Sequence, residues 1–168
     1  MKEQTLVLVK PDGVARYLTG EIIRRIEQKG YQVTGLRMLT PTPAQLAAHY
    51  AEHEGKPFYA PLIDFMSSGP IVAMRVEGER VIEGFRSLAG TTDPTTAAPG
   101  TIRGDLGRDW GEKVQKNLVH GSDSVASASR ELGIWFSSKR LGHKSQKRQI
   151  VAVNIAPKVA KENNQCQS

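Results

Sequence analysis

The sequence has little of what several common kinds of site require. Its 168 residues include one cysteine, Cys166, which excludes an internal disulfide framework and a multi-cysteine metal site. The longest apolar runs are far shorter than the roughly 20 residues needed to span a membrane. The start of the chain has four consecutive apolar residues before Lys10, which is not the pattern of a signal peptide. These absences predict a cytoplasmic protein that makes no use of a membrane.

The positive charge is confined to the C-terminal part of the chain. Residues 1–136 contain 16 Lys and Arg against 16 Asp and Glu, whereas residues 137–168 contain seven basic residues and one Glu. We therefore predict a charge-balanced domain over residues 1–136 and a basic, partly flexible extension over residues 137–168. The alternative is that this extension binds nucleic acid or another anionic partner.

The hydrophobic pattern predicts an α/β protein, more closely an α+β sandwich. The predicted strands cover residues 4–10, 31–39, 70–76 and a short run that ends at His120. The predicted helices cover residues 19–30, 44–53, 56–69, 81–88 and 125–136. Without the helical pair over 44–69, the order is βαββαβ, which is that of an antiparallel ferredoxin-like sheet covered by helices. The segment 91–113 lacks periodicity, and loops of that length are usually functional.

One histidine stands at a place that suits chemistry on an anion. His120 follows a short apolar run and precedes three residues that are good helix N-caps, Ser122, Asp123 and Ser124. The N-terminus of a helix attracts phosphate. A neutral imidazole, with an ordinary pKa of about 6.5, can act there as a base or a nucleophile. Taken alone, the pattern fits an ordinary loop histidine better than a functional one.

The sequence lacks the usual glycine-rich phosphate loops. Neither GxxxxGK[ST] nor GxGxxG occurs, so bound phosphate would have to be held by side chains. The candidates lie at the ends of predicted elements or in the long loop. They are Lys10, Arg86, Thr92 and Arg103. Each of them taken singly is also explained as a surface residue.

Several short segments occur together in the order of one known family. They are Lys10-Pro11-Asp12-Gly13, Gly20-Glu21-Ile22-Ile23, His49-Tyr50, Pro57-Phe58, Ser68-Gly69-Pro70, Pro99 to Asp105 and Asn117 to Ser124. The Asn-x-x-His-Gly-Ser-Asp run in the last of them is highly specific. On these segments the chain resembles a nucleoside diphosphate kinase over residues 4–136. The resemblance implies the ferredoxin-like fold and a long loop at a nucleotide site.

The resemblance also implies a reaction in two halves. A nucleoside triphosphate gives its γ-phosphate to a histidine, and a nucleoside diphosphate then takes it, which predicts ping-pong kinetics. A base held by stacking and apolar contact would be recognised loosely, which implies broad base specificity. Mg²⁺ would arrive on the nucleotide phosphates, with few or no protein ligands.

The roles of individual residues follow from the same resemblance. His120 matches the phosphorylated histidine and Glu131 the glutamate that orients its ring. Ser122, Tyr50 and Lys10 complete the catalytic set. The nucleotide-binding matches are Lys10 and Asn117 for the ribose and terminal phosphates, His53, Arg86, Thr92 and Arg103 for the phosphates, and Phe58, Leu62 and Val114 for the base. Other interpretations remain open for some motif residues, namely core aromatics for Tyr50 and Phe58 and plain turn residues for Gly20, Pro70 and Gly104.

The chain departs from the family pattern in three places. Thr91-Thr92-Asp93-Pro94 stands where Glu-Thr-Asn-Pro is usual, a few extra residues lie near 107–111, and the basic extension replaces an acidic, aromatic end. The two latter regions often make subunit contacts in the family. The resemblance therefore implies a homo-oligomer, hexamer or tetramer, without deciding between them. The alternative function is a non-catalytic nucleotide- or nucleic-acid-binding protein on the same scaffold.

Overall fold

A four-stranded antiparallel sheet forms the centre of the fold. The computed structural model describes residues 2–108, 111 and 116–136, so the predicted extension lies outside the described residues. The strands are β1 Lys2–Val9, β2 Gln32–Leu39, β3 Ile71–Glu79 and β4 Val119–Gly121. Their order in the sheet is β2-β3-β1-β4, and all neighbours are antiparallel. This is the ferredoxin-like arrangement, and the predicted fold is confirmed.

Seven α-helices surround the sheet in the part of the chain that the structure describes. They are α1 Pro11–Ala15, α2 Thr19–Gln28, α3 Pro43–His49, α4 Tyr59–Ser67, α5 Val81–Ala89, α6 Ile102–Leu106 and α7 Val125–Phe136. A single 3-10 turn, Ala51–His53, follows α3. None of these helices is both long and apolar enough to cross a membrane.

The alternation of β1 explains why its apolar run is continuous. Val7 and Val9 face the core that α2 and α5 cover, whereas Leu6 and Leu8 face the core of α3, α4 and α7. All four side chains are fully buried. A central strand covered on both sides has no solvent-facing side, so it reads as apolar throughout. The strand therefore ends in the interior, and Lys10 follows at a buried position.

Several predicted boundaries were wrong, each for a local reason. Helix α1 lies between the strand predicted over 4–10 and the helix predicted over 19–30, where no element was predicted, and it forms because Pro11 suits the first turn of a helix. The helix expected over 44–53 ends at His49, and Tyr50 leaves helical geometry before the 3-10 turn. The irregular segment 91–113 contains α6, whose first turn is capped by the Thr101 hydroxyl accepting from the backbone N–H of Gly104 at 3.0 Å.

The last strand and helix also differ from the prediction. Strand β4 continues through His120 to Gly121, so the histidine lies within the sheet opposite Leu8 of β1. Ser124 is the residue that caps α7, since its hydroxyl accepts from the backbone N–H of Ser127 at 3.1 Å. Val125, the first residue of α7, is 66% exposed, although it is apolar.

Candidate active site

A cavity of about 710 Å³ opens beside His120 and gathers residues from distant parts of the sequence. Eleven predicted site residues line it, namely Lys10, Tyr50, His53, Phe58, Leu62, Arg86, Thr92, Arg103, Asn117, His120 and Glu131. Ser122 is fully buried and is not among the residues that line the cavity. Val114 lies outside the described residues.

His120 is held by a carboxylate on the next helix. Its Nε2 lies 2.9 Å from Glu131 Oε2, and the same oxygen accepts a hydrogen bond from the Ser122 hydroxyl at 2.7 Å. A carboxylate only accepts, so Nε2 carries the proton and the lone pair lies on Nδ1. Burial works to raise the pKa of Glu131, but the hydrogen bonds from His120 and Ser122 hold it below its usual value. In the neutral ring, the pair therefore presents Nδ1 as the nucleophilic atom.

Ser122 ties this pair to the central strand. Its backbone N–H donates to the carbonyl of Leu6, and its hydroxyl oxygen accepts from the Leu6 N–H, both at 3.2 Å. The hydroxyl proton is then free for Glu131. Because Leu6 is a fully buried residue of the central strand β1, the hydrogen bonds of Ser122 anchor the carboxylate to the core of the sheet.

The glycine after His120 lets α5 approach β4 closely. A Cβ on Gly121 would lie 2.5 Å from the ring of Phe85, which is fully buried. A side chain there would push α5 away from the strand. Arg86 follows Phe85 directly in α5 and lines the same cavity as His120. Gly121 therefore allows the helix that carries Arg86 to pack against the strand that carries His120.

Lys10 lies at the junction of β1 and α1, with its ammonium in a hydrogen-bonded chain. Its Nζ donates to Asn117 Oδ1 at 2.7 Å, and Asn117 Nδ2 donates to the carbonyl of Thr92 at 2.8 Å. Lys10 is 9% exposed. Burial, reinforced by the charge of Arg103, lowers the pKa of Lys10 to about 8. An anion bound in the cavity would counteract both burial and the charge of Arg103, and it would raise the pKa of Lys10 again.

The guanidinium of Arg103 donates most of its hydrogen bonds to backbone carbonyls. Its Nε donates to Asn117 at 3.2 Å, its Nη1 to Gly90 at 2.8 Å and its Nη2 to Val119 at 2.8 Å. Burial and the charge of Arg86 lower the pKa of Arg103 to about 10, so it remains protonated at neutral pH. The side chain thus joins the segment after α5 to the segment before His120, while the guanidinium itself lines the cavity.

Aromatic rings line another part of the cavity. Tyr50 stacks on His53 with ring centroids 6.2 Å apart, and His53 meets Phe58 edge to face at 5.4 Å. Phe58 is 43% exposed, so the core alternative does not hold for it. Tyr50 combines both interpretations, because it belongs to the core cluster and also lines the cavity. Lys56 adds a cation 5.8 Å above the ring of Phe58.

His49, for which no role was predicted, packs directly against His120. Ring nitrogens of His49 and His120 and an oxygen of Glu131 lie within 4.8 Å of one another. Two imidazoles and one carboxylate are poor ligands for Mg²⁺, which prefers oxygen donors. These three side chains therefore do not form the kind of site that Mg²⁺ prefers.

Comparisons with known proteins agree with this geometry. The family model described as nucleoside diphosphate kinase matches residues 3–141. The nucleoside diphosphate kinase of Streptomyces coelicolor is 59% identical over 140 residues, which cover 83% of this chain and 99% of the relative. That of Mycolicibacterium paratuberculosis is 59% identical over 137 residues, covering 81% and 98%.

Solved structures agree as well. The halophilic nucleoside diphosphate kinase of Halobacterium salinarum, solved in complex with CDP, has a TM-score of 0.77 at 42% identity, covering 88% of this chain and 95% of that one. The apo enzyme of Encephalitozoon cuniculi has a TM-score of 0.73 at 35% identity, covering 80% and 88%.

Proposed function

The chain belongs to the nucleoside diphosphate kinase family and is a phosphotransferase, and from that premise we propose that His120 carries the phosphoryl group between two nucleotides. The observation that supports this role is the pair of hydrogen bonds on Glu131, which assigns the Nε2 proton of His120 and leaves Nδ1 nucleophilic. A non-catalytic role on the same scaffold is not favoured by the relatives.

Each half of the transfer forms one bond to phosphorus and breaks another. The lone pair of Nδ1 forms a bond to the γ-phosphorus, and the bond from that phosphorus to the bridging oxygen breaks. The electron pair leaves with the nucleoside diphosphate as an anion, so no proton need be delivered to it. Glu131 then lies against the ring that has gained positive charge. A second diphosphate reverses the steps, and the two halves give ping-pong kinetics.

The cations around the cavity suit the transferring phosphates. Lys10, Arg86 and Arg103 line it together with the Thr92 segment. Fixed cations stabilise the charge that spreads over the phosphoryl oxygens in the transition state. Mg²⁺, bound mainly by the nucleotide phosphates, would supply further charge neutralisation there. Tyr50, His53 and Asn117 border the same space, which supports roles for them in holding the nucleotide.

The base is proposed to stack on the exposed ring of Phe58, with Leu62 beside it. The Halobacterium salinarum relative was solved with CDP. Stacking and apolar contact accept every base, because each has a π surface. Broad specificity for nucleoside tri- and diphosphates follows. The predicted third base contact, Val114, lies outside the described residues and stays a prediction.

The direct test is phosphotransfer through the protein. Incubation with γ-labelled ATP and Mg²⁺ should give a phosphoenzyme whose phosphate is stable to base and released by acid, as a phosphoramidate is. Addition of ADP, CDP, GDP or UDP should then remove the label from the protein and yield the matching triphosphate. Transfer without a phosphoenzyme would contradict the proposed role of His120.

Nucleotide affinity is expected to fall as the pH rises through about 8. The pKa of Lys10 is lowered to about 8, so the free enzyme loses this positive charge above that pH. Bound phosphate would hold the proton on, so binding at high pH costs the uptake of one proton. If only the charged form binds, KM for ADP rises about tenfold between pH 7 and pH 9. Steady-state kinetics at fixed ionic strength measure this rise.

Two variants separate Lys10 from other groups that titrate. Lys10→Arg keeps its charge over this range and should show no rise of KM, whereas Lys10→Met should bind ADP weakly at every pH.

The pH dependence of stability is an independent check that the pKa of Lys10 is lowered. The folded pKa lies below the unfolded value of 10.5, so the unfolded chain holds more protons between about 8 and 10.5. The free energy of unfolding should rise with pH over that window in the parent and rise less in Lys10→Met, where the lowered pKa of Arg103, about 10, still contributes near the upper end.

We propose further that the chain forms a homo-oligomer, hexamer or tetramer, in the cytoplasm. Strand β2 lies at the edge of the sheet among the described residues, and Leu36 and Met38 on it are 52% and 61% exposed. An apolar edge strand is a surface that a second copy would cover. The lone cysteine suits a reducing compartment.

Residues 137–168 are proposed to be a basic extension that lies outside the kinase domain over 1–136. Light scattering should then give the same oligomer for the full chain and for a chain ending at Phe136. A smaller assembly of the shortened chain would contradict this boundary. Unchanged nucleic-acid binding after the deletion would contradict the alternative role of the extension.

A further inference from the structure

His49 is a buried imidazole next to the reacting one, and the proposed mechanism does not use it. It is 2% exposed. Its ring meets the ring of His120 edge to face, with centroids 4.6 Å apart and planes 81° apart. A ring placed in this way limits how the His120 imidazole can tilt or rotate about its bonds. The hydrogen bond from Nε2 to Glu131 fixes a single point of the His120 imidazole. The His49 ring packed against it restrains the orientation of the plane of that imidazole.

Trp135 fixes the tautomer of His49. The indole Nε1 donates to His49 Nδ1 at 3.2 Å, and both side chains are buried. An indole N–H can only donate, so His49 Nδ1 carries a lone pair and the proton lies on Nε2. Burial, with the charge of His120 as the next cause, lowers the pKa of His49 to about 3. His49 is therefore a neutral ring that does not compete with His120 as a cation for Glu131.

Two further contacts make His49 rigid. Arg130 of α7 donates from Nη1 to the carbonyls of Ala48 and His49, at 3.1 and 3.3 Å, where α3 ends. The ring of Tyr50 meets His49 edge to face at 4.6 Å. The helix that carries Glu131 thus also carries Trp135 and Arg130, which hold His49 in place. The residue that holds His120 and the residues that hold His49 therefore all lie on α7.

We propose that His49, held by Trp135, is a positioning residue that keeps the His120 ring in the orientation in which Nε2 donates to Glu131 and Nδ1 is phosphorylated. This inference rests on the proposed phosphohistidine mechanism. An imidazole has two nitrogens, and attack through either gives a bond to phosphorus and the same leaving diphosphate, so bond balance alone does not choose between them. Nε2 is also the less crowded atom, because Nδ1 neighbours the carbon that bears the side chain. Selectivity for Nδ1 therefore requires that the ring be held.

The test is the position of the phosphate on His120 in three variants. His49→Leu removes both the ring and its hydrogen bond. His49→Asn keeps an acceptor near the position of Nδ1 for the indole N–H, and Trp135→Phe removes the donor but keeps His49. Each phosphoenzyme, made with ATP and Mg²⁺, is denatured in base. ³¹P NMR then distinguishes the Nδ1 and Nε2 phosphoramidates. The rate of phosphorylation is measured by rapid quench and ADP affinity by calorimetry.

The parent should carry phosphate on Nδ1 alone. His49→Leu should show a measurable share on Nε2 and phosphorylate about tenfold more slowly, with the Kd for ADP within about twofold of the parent, because the residues that line the cavity are unchanged. Trp135→Phe should lie between the two, and His49→Asn should recover part of the selectivity. Leu46→Ala is the matched control: this buried residue lies one turn earlier in α3 and in the same core cluster. It should lower Tm without changing the isomer.

The outcomes separate this inference from the proposed function. A parent without phosphohistidine would refute the mechanism itself. A parent phosphorylated on Nδ1, together with a His49→Leu variant phosphorylated only on Nδ1 at the parent rate, would refute the role of His49 alone. Parallel losses of rate, Tm and ADP affinity in both His49→Leu and Leu46→Ala, with the isomer unchanged, would reduce His49 to a packing residue. If His49→Leu does not fold, the isomer ratio in His49→Asn and Trp135→Phe decides.

Discussion

Replacing His120 with Gln is expected to lower kcat by about 10⁴-fold or more and to abolish base-stable labelling of the protein by ATP. The amide of Gln can still accept and donate hydrogen bonds beside Glu131, so the local structure should survive. It has no basic lone pair that could attack phosphorus. Nucleotide should still bind, because Lys10, Phe58 and Arg86 are unchanged. Rapid-quench labelling and ADP calorimetry on the same preparation measure the two properties separately.

The matched control is the same substitution at another histidine of the cavity. His53→Gln should raise KM, since His53 lines the cavity, where it stacks on Tyr50 and meets Phe58 edge to face. It should leave the phosphoenzyme intact. A labelled His120→Gln protein, or a labelling defect of equal size in His53→Gln, would show that the nucleophile lies elsewhere.

The fold could be predicted from the sequence because its signals are local. The apolar run of β1, the breaks at Pro43 and Gly69 and the periodicity of α5 each lie within about ten residues. Short helices were harder. Helix α1 has five residues and begins Pro-Asp-Gly, a combination that also makes turns, so only the buried side of Pro11 and Gly13 distinguishes it.

The candidate site could be predicted only in part, because its contacts join distant segments. The resemblance named Lys10 and Asn117 but not the hydrogen bond between them, which spans 107 positions of the chain. His49 had no visible role, because its partner Trp135 lies 86 residues away and reads as an ordinary core aromatic. Arg103 was expected to contact phosphate, and no pattern in the sequence indicates that most of its donors hold backbone carbonyls.

Arg103→Met is therefore expected to damage stability and catalysis together. The substitution leaves the carbonyls of Gly90, Asn117 and Val119 without their donors. Charge-assisted hydrogen bonds to partly buried groups are worth more than neutral ones, so the free energy of unfolding should fall by about 2–4 kcal/mol. The loss of a fixed cation at the transferring phosphates should lower kcat/KM by about 10³-fold. Urea denaturation without nucleotide and steady-state kinetics measure the two effects.

Arg103→Lys separates the clamp from the charge. An ammonium is a single point charge that cannot reach three carbonyls in the geometry of the guanidinium fork, so this variant should be nearly as unstable as Arg103→Met. It retains a cation in the cavity and should recover about tenfold or more in kcat/KM. The conformation of the segment between α5 and β4 then limits what the charge can restore, since Arg103 also bonds the carbonyl of Thr91 beside Thr92. Recovery of both properties by Lys would show that charge alone matters here, and a stable Arg103→Met protein would show that the carbonyl bonds do not hold the loop.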